Sequence, residues 1–81
     1  MSKTDKVKVK LLSGKGYHNF SFSELATLLS GLGFVLDRQE GSHHVWQHSK
    51  VKNSVNVQSV HGKAKPYQLR QIRDIIREYK L

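Results

Sequence analysis

Ser54-Val55-Asn56-Val57-Gln58-Ser59-Val60 alternates polar and apolar side chains almost without a break. Successive side chains of a strand point to opposite faces, so this stretch reads as a β-strand with one face buried and the other in water. Half-buried strands belong to antiparallel sheets, and the flanking sequence supplies the partners. Upstream, beyond a polar loop from Ser49 to Asn53, lies His43-His44-Val45-Trp46-Gln47-His48, a second strand. Before it, Glu40-Gly41-Ser42 reads as a tight turn, preceded by the β-prone run Phe34-Val35-Leu36-Asp37-Arg38-Gln39. Connections this short make the three strands an antiparallel meander.

A helix is expected on either side of the meander. Ser21 followed by Glu24 forms a capping box, with Phe20 placed to pack on Leu25 as a hydrophobic staple. Leu25, Leu28, Leu29 and Leu32 recur at helical spacing, and Gly31 and Gly33 mark the exit, so a helix is placed over about residues 22–31. After the loop His61-Gly62-Lys63-Ala64-Lys65, Pro66 suits a first helical turn, where its missing N–H is not needed. Leu69, Ile72, Ile75, Ile76 and Tyr79 then form one apolar arc, flanked by a stripe of Arg70, Arg73, Arg77 and Lys80. The expected fold is α+β, in the order α-β-β-β-α. A three-stranded antiparallel sheet carries two helices on one face, the layout of a double-stranded-RNA-binding domain. Residues 1–20 are Lys-rich and punctuated by Gly14 and Gly16. Their Lys–Val alternation suits a strand, and a short helix ending at Gly14 fits equally, so they are assigned to a flexible arm or accessory element, and residues 21–81 to the domain proper.

Eighty-one residues bound this to one small domain with a thin core. No cysteine is present, which excludes a disulfide framework and thiolate metal sites and suits a reducing, cytoplasmic setting. No apolar run is long enough for a membrane span, and no signal-peptide core is present. Fourteen Lys and Arg against six Asp and Glu give a net charge of +8, which points to a polyanionic partner, nucleic acid before others.

Five histidines stand out in so short a chain. Adjacent strands could bring His44, His48 and His61 together, but the usual metal-ligand spacings are absent, so neither metal nor cofactor is expected. His18 and His48 read as structural or surface residues. His43 follows Gly41-Ser42 at the start of a strand, where a glycine turn leaves the side chain accessible. An imidazole titrates near neutrality, so it can take or give a proton in phosphodiester cleavage. Strand alternation sets Trp46 with His44 and opposite His43, which favours packing for Trp46 over stacking on a base. Lys63 and Lys65, beside the start of the last helix, and Arg70 and Arg73 along it are candidate phosphate contacts. Each also suits a solvated surface.

From Phe22 to Leu81 the chain resembles the HicA toxin family. The matching features are Leu32-Gly33-Phe34 after the first helix and Arg38-Gln39-Glu40-Gly41-Ser42-His43-His44-Val45-Trp46. Further on come Val60-His61-Gly62-Lys63, Lys65-Pro66, and Leu69-Arg70-Gln71-Ile72 in a final helix. The resemblance implies a double-stranded-RNA-binding-like fold and metal-independent endoribonuclease activity on mRNA. It makes His43, directly after Gly-Ser, the catalytic residue. It also implies neutralisation by a HicB-type antitoxin and a role in growth arrest under stress. Ser59 stands where many members carry a proline before a histidine, so His61 receives no firm role. Two competing readings keep the fold or the charge and drop the chemistry: a non-catalytic double-stranded-RNA-binding module, and a protein–protein adaptor.

Overall fold

A computed structural model describes residues 2–81. The elements run α1 (Lys3–Ser13), a 3-10 turn (Tyr17–Asn19), α2 (Phe22–Gly31), β1 (Val35–Glu40), β2 (His43–Gln47), β3 (Val55–Val60), β4 (Lys63–Ala64) and α3 (Pro66–Tyr79). The sheet is antiparallel throughout, in the order β1-β2-β3-β4. The fold is the expected α+β, double-stranded-RNA-binding-like arrangement, with one strand more than the three read from the sequence.

The extra strand comes from the segment read as a loop. His61 and Gly62 both take positive φ, 52° and 76°. Positive φ at both central positions is the signature of a type I′ turn, whose twist matches the flanking strands. The turn folds Lys63-Ala64 back onto Val60 and Ser59. On its other side β4 meets Phe20-Ser21-Phe22: the Ala64 N–H donates to the Phe20 carbonyl at 3.1 Å, and the Phe22 N–H to the Gly62 carbonyl at 2.9 Å.

The capping box forms as read. The Glu24 N–H donates to the Ser21 hydroxyl at 3.0 Å, and the Ser21 N–H donates to the Glu24 carboxylate at 3.2 Å. Phe20 and Leu25 are both fully buried, as the staple requires. Gly31 has a different task from the helix stop assigned to it. It lies inside α2, and a Cβ there would collide with the Thr4 side chain, so its bare backbone lets α1 lie close. Helix exit falls to Leu32 and to Gly33, at φ 99°.

Residues 3–19 are ordered into the domain. Ser2 caps α1, accepting the Asp5 N–H at 3.1 Å, and Gly14 closes it in the left-handed conformation. Val7, Leu11, Tyr17 and Phe20 supply four of the fifteen buried apolar side chains. The Tyr17 hydroxyl donates to the Leu11 carbonyl at 2.6 Å, and the Lys10 ammonium pairs with Glu24 at 3.0 Å.

The core lies between the helices and one face of the sheet. Trp46, Val55, Val57 and Ala64 point inward to meet Leu25, Leu28, Leu29, Leu69, Ile72 and Ile76. Among the described residues no helix covers the other face of the sheet.

Candidate active site

His43 opens β2, immediately after a turn of Gly41 and Ser42. Gly41 sits at φ 59°, which a side chain rarely adopts and which the first position of a type II′ turn demands. Ser42 braces the turn against β3: its carbonyl accepts the Ser59 N–H at 3.0 Å, and its hydroxyl accepts from the Gln58 amide at 3.4 Å. His43 is therefore held at the base of a hairpin tied on both sides.

Alternation along β2 sends His43 and Val45 to the open face, and His44 and Trp46 to the helical face. Trp46 is only 6% exposed, so the packing role holds; its indole N–H is buried without a partner among the described residues. The His44 ring lies on Phe22 at 4.6 Å between centroids, with Nδ1 donating to the Ser42 carbonyl at 3.1 Å. The His48 Nδ1 accepts the Lys50 N–H at 3.0 Å, which leaves Nε2 to donate to the Leu32 carbonyl at 2.9 Å. Both rings are fixed structural groups. His61 sits in the β3–β4 turn and His18 in the 3-10 turn, both exposed. His43 is exposed too, and its ring makes no hydrogen bond among the described residues; what sets it apart is the hollow that it lines.

Around His43 the open face forms a hollow of about 280 Å³ lined by Arg38, Glu40, His43, Val45 and Asn56. Glu40 pairs directly with His43 across the hairpin, and Arg38 with Val45 one step along. On the other side His43 faces Gln58, a narrow pair because the hydrogen bonds fall on Ser42 and Ser59 instead. The hollow thus holds two groups able to carry a proton, His43 and Glu40, and one permanent cation, Arg38. None of Arg38, Glu40 or Asn56 was assigned a role from the sequence.

The four cations named from the sequence are spread more widely. Lys63 pairs with Val60 and so shares the open face with His43, at the far side of β3. Lys65 forms the N-terminal boundary of α3, its ammonium 5.9 Å from the Tyr67 ring. That helix start adjoins β3 at the residue paired with His43, since the Gln68 side-chain oxygen accepts the Gln58 N–H at 3.0 Å. Arg70 is exposed further along α3, and Arg73 is half-buried beside Asp74 at 3.4 Å. A second hollow of about 260 Å³, between α3 and the β2–β3 loop, is lined by Val51, Ile75, Tyr79 and the carboxylates of Asp74 and Glu78. Its acidic lining suits no phosphate.

Among the described residues no three metal-ligating side chains converge, and no helix is long and apolar enough to cross a membrane. A family model described as HicA toxin of bacterial toxin-antitoxin matches residues 22–80. Comparison with curated proteins and with solved structures gives no match.

Proposed function

The chain belongs to the HicA toxin family of bacterial toxin–antitoxin systems, and on that premise we propose that it is a metal-independent endoribonuclease that cleaves mRNA with His43. The observation that supports this most is the contrast among the histidines. His44 and His48 are locked in packing and hydrogen bonds, while His43 stands free at the rim of a polar hollow on the helix-free face.

The chemistry is a transfer within the RNA backbone. A base removes the proton of a ribose 2′-hydroxyl, and the 2′-oxygen bonds to the adjacent phosphorus. The bond from phosphorus to the 5′-oxygen breaks, and an acid returns a proton to that oxygen. The products are a 2′,3′-cyclic phosphate and a free 5′-hydroxyl, with no external reactant. His43 performs one of the two proton transfers. Lys63 and Lys65 hold neighbouring phosphates beside the hairpin and the start of α3, and Arg70 and Arg73 extend that surface along the helix. The partner that silences the activity is a HicB-type antitoxin covering the open face, and a net charge of +8 favours an acidic surface on it. An mRNA substrate places the protein in the cytoplasm.

The test is incubation of a defined mRNA with purified protein in EDTA. Wild type cleaves; His43→Ala keeps the fold and loses about 10²–10⁴-fold in rate, the usual contribution of a positioned acid or base. Stable complexes with intact RNA in both samples would instead favour a binding module.

A further inference from the structure

A β-bulge decides what faces His43. Leu36 pairs with Trp46, on the helical face, yet Arg38 pairs with Val45, on the open face. Unbroken alternation from Leu36 would send Arg38 and Glu40 toward the helices. The extra residue, Asp37, shifts the register by one and turns both outward into the hollow. Bulges of this kind re-aim side chains, and this one places a guanidinium beside the imidazole that the turn presents.

We propose that Arg38 is a catalytic residue that holds the scissile phosphate and neutralises the charge gathering on it as the 2′-oxygen attacks. The proposal rests on the ribonuclease reading above. Two further observations support it. Among the described residues Arg38 is the only permanent cation lining the hollow, whereas Lys63, Lys65, Arg70 and Arg73 all lie outside it. Its guanidinium is also uncommitted: among the described residues the ion pairs are Lys10–Glu24 and Arg73–Asp74. A planar guanidinium offers two parallel N–H groups to the non-bridging oxygens, a match an ammonium cannot reproduce. The Glu40 carboxylate shares the hollow and opposes an incoming phosphate. A fully charged partner at Arg38 offsets that repulsion.

The experiment is single-turnover cleavage of a defined mRNA fragment in EDTA by wild type, Arg38→Ala, Arg38→Lys and His43→Ala. The fold of each is checked by circular dichroism and thermal unfolding. Arg38→Ala is expected to lower the cleavage step by about 10²–10³-fold, the loss typical of one transition-state donor. Arg38→Lys recovers only part of it, and added guanidinium ion restores turnover to Arg38→Ala but not to His43→Ala. Arg38→Ala cleaving at the wild-type rate, with His43→Ala inert, would overturn the role of Arg38 and leave the ribonuclease reading standing. No cleavage by folded wild type would overturn both.

Discussion

Glu24 joins two elements through one carboxylate. Burial alone would raise its pKa, but the Lys10 ammonium and the Ser21 N–H and hydroxyl outweigh that and hold it below its ordinary value. A carboxyl with a depressed folded pKa adds stability that is full above its unfolded value and is lost as pH falls through the folded one. Glutamine keeps the capping geometry and drops the charge. Glu24→Gln is therefore expected to melt below wild type at neutral pH, with the gap closing as the pH falls below about 4.5, the ordinary value for the group. Thermal unfolding of both proteins across pH checks this, and a gap that persists in acid would mean that charge is not the cause. Single residues also show where sequence reading reaches its limit at the site. The side of the sheet on which His43 and Trp46 lie follows from counting along one uninterrupted strand. Arg38 and Glu40 do not yield to the same count, because Asp37 breaks it and nothing in Val35-Leu36-Asp37-Arg38 announces a bulge.

Elements were legible where a local signal agreed with the tertiary packing. The capping box placed α2, Pro66 placed α3, and the Val55–Val57 alternation placed β3 with its buried side. The element β4 escaped because a strand of Lys63-Ala64 carries no β-forming pattern; pairing on both sides sustains it, with Ser59 and Val60 across the turn and Ser21 opposite. The helix α1 was ambiguous because Lys6-Val7-Lys8-Val9-Lys10 has a strand's period, and Val9, at 55% exposed, shows that half of the alternation is not burial. What decides is the pair Val7 and Leu11, one turn apart and both in the core. That helix lies outside the residues matched to the family, yet the core depends on it. Leu11→Ala is expected to cost about 2–5 kcal/mol, as for any fully buried leucine, and chemical denaturation measures it. A cost near zero would reduce α1 to an appendage.

At the scale of the whole molecule, function divides between the two sides of the sheet. One side is spent on the core shared with the helices, and the other presents His43 and its neighbours across a body 29 × 28 × 21 Å in extent. Charge is distributed less strictly: Lys63 shares the open face, Lys65 stands at the start of α3, and the arginines run along that helix. A surface of this kind binds RNA through many weak phosphate contacts, and its affinity falls with salt by about 0.7 log units per log unit of salt for each phosphate on a single strand. Lys63→Ala and Lys65→Ala are each expected to lower that slope by about this amount while leaving the cleavage step intact. Fluorescence anisotropy of a labelled RNA over a salt series, with the inert His43→Ala background, checks the slope. An unchanged slope would remove both lysines from the interface.

The Gly41-Ser42 turn also governs parity. His43 and His44 are neighbours in sequence but belong to opposite worlds, one in solvent and one against Phe22. Because alternation along β2 is unbroken, one residue gained or lost in the turn without a compensating bulge would exchange them, carrying His43 and Val45 inward and expelling Trp46 into water. Two residues gained would leave every side chain where it belongs. Insertions here that no bulge absorbs are thus expected to act by odd and even count.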